Sequence, residues 1–99
     1  MPARMTRDAW MVAVELSTPP AWKSARELCA AAFGTTATMQ RRRVLAALEI
    51  VKTRYGLLRS YSNWQRASGE RWRYAIDSAG RRKLLADLPA DVLAELMGG

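Results

Sequence analysis

Two stretches hold the residues whose types and spacing could do chemistry. "TMQRRRV", Thr38 to Val44, sets a glutamine beside three consecutive arginines. "RWRYAIDSAGRRK", Arg71 to Lys83, alternates charge with bulk and then runs into three more bases. Glutamine can pair with adenine and arginine with guanine by two hydrogen bonds each, worth roughly 1–3 kcal/mol of discrimination per pair. Arginine and lysine also hold phosphates. This is the chemistry of recognising a polyanion, and nothing beside it makes or breaks bonds. The chain has no histidine, no phosphate-cradling glycine loop and no nucleophile elbow. Asp8, Glu15, Glu27, Glu49, Glu70 and Asp77 are scattered, so an enzyme is not expected. With one cysteine, Cys29, and no histidine, neither a disulfide nor a zinc site is expected, and no cofactor is implied.

The charge is as uneven as the motifs. The 99 residues carry a net +7. Residues 38–83 hold twelve Lys/Arg against three acids, a net of +9. Residues 84–99 hold three acids and no base. A GC-rich genome would raise arginine everywhere, but it would not empty the tail of bases. A basic centre of this kind expects a polyanionic partner. No apolar run is long enough to span a membrane, and the start does not read as a signal peptide, so a cytoplasmic, nucleoid-associated protein is expected and no membrane partner.

The elements that must position these residues can be read from caps and periodicity. Thr6 can cap a first helix with Trp10, Ala13 and Val14 on its buried stripe, stopped by "STPP" at Ser17–Pro20. Ser24-Ala25-Arg26-Glu27 matches the capping box, and Ala25, Leu28, Cys29 and Ala32 follow on one helical face. Gly34 suits a left-handed helix end. A long third helix runs from about Thr36 or Thr38 to Arg54, with Val44, Leu45, Leu48, Val51 and Tyr55 as its apolar stripe and Gly56 as its stop. "LLRSYSNWQRASGERWRYAI" reads as a β-hairpin whose polar tip is Gln65–Glu70. On its return strand Trp72, Tyr74 and Ile76 would pack on the helices, leaving Arg71, Arg73 and Ala75 on the outer face. Asp77 caps a fourth helix with Leu84, Leu85 and Leu88, and a short last helix follows Pro89. One domain is expected, 1–99, with a core over about 6–88 and the last helix over about 90–97.

The expected fold is therefore mainly α with a small β-hairpin wing, a winged helix-turn-helix. The opening of the third helix supplies Thr36, Thr38, Gln40, Arg41, Arg42 and Arg43 as candidate DNA contacts. Three consecutive arginines span too much of the helix to enter one groove, and Gln40 and Arg43 look best placed, with Arg41 leaning toward the apolar stripe. The wing supplies Arg59, Arg66, Ser68, Arg71 and Arg73. Lys23 and Ser24, at the second helix's start, could hold one phosphate, although Ser24 is a structural cap first. Tyr61, Trp64, Trp72 and Tyr74 could stack on unpaired bases, but at strand spacing they read first as packing.

"SARELCAAAFG" resembles the second helix of bacterial winged helix-turn-helix regulators, and "YGLLRS" resembles the end of their recognition helix entering the wing. "RWRYAIDSAGRRKLL" is similar to the wing-return segment of MarR- and PadR-like repressors, basic-x-Tyr-x-Leu-Thr-x-x-Gly-Arg. Ile76 stands for the leucine and Asp77 for the threonine, while Gly80 and Arg81 match directly. The resemblance covers roughly Lys23 to Leu88. The 21 residues between Gly34 and Gly56 exceed the family's usual spacing, so either the turn is longer or the third helix gains a turn. The long dimerisation helices of MarR proteins are missing, and no small-molecule effector pocket is evident.

The resemblance implies sequence-specific binding of double-stranded DNA by a small transcriptional repressor of a bacterium, phage or plasmid, acting as a homodimer. Trp10, Val92, Leu93, Leu96 and Met97 are the expected dimer surface. Two alternatives stay open: an architectural, partition, replication or excision factor of a phage or plasmid, and a winged helix used as a protein-interaction module.

Overall fold

A computed structural model describes residues 4–19, 21–61 and 72–98, the last three by their backbone alone. In chain order the elements are α1 (Arg7–Ser17), β1 (Lys23–Ser24), α2 (Ala25–Phe33), α3 (Thr38–Tyr55), β2 (Leu58–Tyr61), β3 (Trp72–Ala75), α4 (Ser78–Asp87) and α5 (Ala90–Gly98). The protein is mainly helical, with one small antiparallel sheet in the order β1-β3-β2. Lys23 pairs with Tyr74 and Ser24 with Arg73. Leu58 to Tyr61 pair with Ala75 back to Trp72.

Most helix ends form where local chemistry directs them. The Thr6 hydroxyl accepts from the Ala9 amide at 3.1 Å. Ser24 and Glu27 close the capping box in both directions, at 3.1 and 3.2 Å. Gly34 ends α2 at φ 71°, a conformation that costs glycine nothing. Asp77 accepts from the Gly80 amide at 2.7 Å and starts α4. Helix α3 starts at Thr38, one of the two expected starts, but its N-cap is Ala37, which makes no side-chain cap. Thr35 turns the chain there instead, accepting from the Ala37 amide at 3.2 Å.

The core is the contact of α1 with α2 and α3. Ala9, Trp10, Val12, Ala13 and Leu16 meet Leu28, Cys29, Val44, Ala47, Leu48, Val51 and Tyr55, with Leu84 closing one end. The small Ala9 and Ala13 let α3 approach closely, which brings Ala47 inside and leaves Leu45, expected on the buried stripe, 48% exposed. Leu85 is likewise outside, 55% exposed, while Leu84 is buried. Cys29 is core, and burial pushes its thiol pKa up, so it stays an inert thiol. Trp10, expected at a dimer surface, is buried with its ring 6.4 Å from that of Tyr55. It cannot reach a partner.

The hairpin faces are reversed at one end relative to the sequence pattern. Ala75 is buried and Arg73 turns to α2, whereas Trp72 remains exposed. Tyr74 and Ile76 do pack against the core, as their alternation predicts. The reason is β1. The two-residue strand, which has no periodicity to reveal it, pairs on the far side of β3 and brings α2 with it.

Helix α4 sits on the end of α3 through one glycine. A Cβ on Gly80 would stand 2.5 Å from the carbonyl oxygen of Tyr55. The Tyr55 hydroxyl then donates to Asp87 at 3.0 Å, and burial, with that carboxylate, raises its pKa and keeps it a donor. Because the obstacle is backbone, Gly80→Ala should cost about 2–3 kcal/mol, the upper range for an overfilled site. Thermal unfolding of the two proteins side by side measures this, and equal midpoints would contradict it.

Candidate nucleic-acid interface

The outward face of α3 is set by its buried stripe. At about 100° per residue, Thr38, Arg42, Leu45, Ala46, Glu49 and Thr53 lie opposite Val44, Leu48, Val51 and Tyr55, and all six are exposed. Met39 flanks them, 74% exposed. The face thus offers two hydroxyls, a guanidinium, two large apolar groups and a carboxylate. Arg42 makes no ion pair or hydrogen bond among the described residues.

The two residues expected to lead this helix do not stand on its outward face. Gln40 is half-buried on the core side. Arg43 donates twice to Asp8 of α1, at 2.9 and 2.7 Å, and lies 4.3 Å over the Phe33 ring of α2. It therefore clamps three helices together, and the Asp8 hydrogen bond holds its guanidinium still more firmly protonated. Arg41 is half-buried with an unsatisfied Nε. Thr36 is half-buried in the turn and Thr38 is exposed.

Lys23 and Ser24 are not a phosphate site. The Lys23 side chain is 7% exposed. Its ammonium donates to the Glu15 carbonyl, and to the carbonyl and hydroxyl of Thr18 at 2.9 and 3.0 Å. The Glu15 carboxylate lies 3.9 Å away. These oxygens lie at the end of α1, where a cation is favoured, and the Glu15 carbonyl also accepts from the Thr18 amide and hydroxyl at 3.3 and 3.0 Å. Ser24 is buried, its hydroxyl occupied by the cap. Local sequence could not reveal this, because Lys23 reaches across a turn to a helix that ended earlier.

On the hairpin, Arg73 is half-buried and bound to Glu27 at 3.0 Å. Arg59 is exposed and lies 5.0 Å over the Trp72 ring. Arg66, Ser68 and Arg71 lie outside the described residues. On α4, Arg81, Arg82 and Lys83 are exposed but fan around the helix rather than sharing one surface.

Arg81 borders an open groove of about 350 Å³ between α1, α4 and α5, lined by Val14, Leu85, Leu88 and Leu93. The sequence pattern had no sign of it, because it is built from three helices. Val92, expected at a dimer surface, packs on the chain's own core, and an Arg7–Glu95 ion pair ties α5 to α1. Leu93 is 41% exposed at the groove. The side chains of Leu96 and Met97 lie outside the described residues. Among the described residues no His, Cys, Asp or Glu cluster could hold a metal ion, and no helix is long and apolar enough to cross a membrane.

No family model, no curated protein and no solved structure matches this chain.

The buried ammonium yields a prediction. Lys23→Met keeps the stem but removes the charged donor from the Glu15 and Thr18 oxygens, and hydrogen bonds to a charged group contribute about 1.5–3 kcal/mol. Urea unfolding should show a loss of that order, with any loss of nucleic-acid binding disappearing once the folded fraction is corrected for. A stable variant that binds nucleic acid poorly would instead return Lys23 to the interface.

Proposed function

We propose that this protein is a winged helix-turn-helix DNA-binding protein, a small transcriptional repressor that occludes its site on double-stranded DNA. The observation that carries the reading is the element order α1-β1-α2-α3-β2-β3 around a β1-β3-β2 sheet, with the outward face of α3 left unpaired. In that arrangement α3 enters the major groove and the β2–β3 hairpin lies along the neighbouring backbone or minor groove. Arg42 is the guanine reader, Leu45 a contact for a thymine methyl, and Glu49 an acceptor for a cytosine amino group. Arg43 holds the helix at its angle. The net +9 of residues 38–83 supplies the sequence-independent attraction.

The active species in this reading is a homodimer, because one such domain covers too few base pairs to select a site among millions. The α1–α4–α5 groove is its surface. Leu85 and Leu93 are exposed across the groove. Arg81 and Arg82 lie on the α4 side, and Asp91 and Glu95 lie on the flank of α5 away from Leu93. A two-fold axis through the groove joins the Leu85 and Leu93 side chains of the two copies.

Two measurements test the reading. Binding to duplex DNA should weaken steeply with salt, with a log–log slope near −4 to −5 per protomer if about five phosphates are neutralised. Selection from random DNA should then give altered preferences for Arg42→Ala and parental preferences for Arg43→Ala. A slope near zero removes nucleic acid as the partner, and unchanged preferences for Arg42→Ala remove the assigned register.

For the dimer, Leu85→Asp with Leu93→Asp changes two exposed positions and should leave the fold intact. Sedimentation at tens of micromolar should give a dimer for the parent and a monomer for the double variant. A parent that stays monomeric both free and on a single site overturns the dimer.

A further inference from the structure

The outer face of the hairpin is unlike an ordinary solvated strand. All four residues of β2 are exposed, Tyr61 at 47%, and its pairing partner Trp72 is exposed at 43%. The two rings meet edge to face, 5.0 Å between centroids. The Arg59 guanidinium lies 5.0 Å from the Trp72 ring. Arg59 is directly opposite Tyr74, which puts it diagonal to Trp72 on the same face of the antiparallel pair. Three side chains with π-faces and one cation therefore stand in a row, and helices cover only the Tyr74 end.

Packing does not explain the arrangement. The buried residue of β3 is Ala75, at its other end and on its other face, and Trp72 stays 43% exposed. Exposed aromatic surface of this size costs solvation free energy unless something covers it. The rings are also already ordered. Each has two side-chain torsions, and the edge-to-face contact and the guanidinium hold them, so little conformational entropy remains to be lost when a flat ligand arrives.

We infer that this row is a stacking site for unpaired nucleobases, with Arg59 holding the adjoining phosphate. The inference rests on the DNA-binding reading above and extends it to a different DNA structure. Charge selects the occupant: the cation on the row and the net +9 of the central segment favour a polyanion with π-faces over an apolar protein surface. A paired base hides its faces in the duplex stack, so flat rings on a strand can reach only a base that is single-stranded, terminal or flipped out. The protein accordingly holds a locally opened strand beside the duplex bound by α3.

The test compares three labelled ligands with the intact protein: a thymidine oligonucleotide of about twenty residues, a duplex of similar length, and that duplex with about three unpaired bases at its centre. The parent should bind the single strand, and should bind the opened duplex more tightly than the closed one. Trp72→Ala and Tyr61→Ala should weaken single-strand binding about ten-fold or more and closed-duplex binding by less than about two-fold. Trp72→Phe, which keeps a ring, should recover most of the loss. Circular dichroism of each variant verifies the fold. If Trp72→Ala weakens all three ligands equally, or if the parent binds the closed duplex and ignores the single strand, the stacking site is wrong while the duplex reading stands. If the parent binds none of the three, both fail.

Discussion

The fold turns on the ammonium of Lys23. A buried cation away from water is costly unless its donors are all met, and here the end of α1 meets them with the Glu15 and Thr18 oxygens. That contact fixes three things at once. It satisfies the Thr18 carbonyl at the end of α1. It holds residues 23 and 24 extended, so that they pair with Tyr74 and Arg73 as the third strand. It also leaves Ser24 positioned to cap α2. Helix α2, the return strand of the hairpin and the end of α1 are thus joined at two residues.

A second tier of charge pairs carries this frame outward. Arg43 joins α3 to α1 and to the Phe33 ring, and Arg73 joins β3 to the same Glu27 that closes the capping box. These pairs are partly exposed, so each adds little stability by itself. Their consequence is geometric: they orient α3 and the hairpin, and they remove two arginines from any interface. Arg42 is left unpaired among the described residues and available to a polyanion.

The apolar residues divide in the same way. Leu84, Val44 and Ala47 are inside, while Leu45, Leu85, Leu93, Tyr61 and Trp72 are outside in three separate places. Each place has its own neighbours. Leu45 stands beside Arg42 on α3, Leu85 and Leu93 flank a groove bordered by Arg81, and Tyr61 and Trp72 hold each other under Arg59. One small domain therefore presents three chemically different surfaces, and the proposed duplex contact, second copy and unpaired base each occupy one.

The sequence by itself determined most of the helix boundaries. The caps at Thr6, Ser24, Gly34 and Asp77 could be read because a cap is a contact over about three residues and needs no distant partner. The hairpin and the basic centre were legible for the same reason, being carried by local alternation and by composition. Only tertiary structure decided which residues of each face go inside. Leu45 and Ala47 are both eligible by helical spacing, and the close approach allowed by Ala9 and Ala13 chose the smaller one. The same holds for Lys23 and β1, since two residues have no period and a buried lysine is recognised only by the carbonyls it reaches. It holds for Arg43 and Arg42 as well. Helical spacing separates Arg41 from its neighbours, but it does not show that Asp8, thirty-five residues earlier in the chain than Arg43, lies within reach of that arginine.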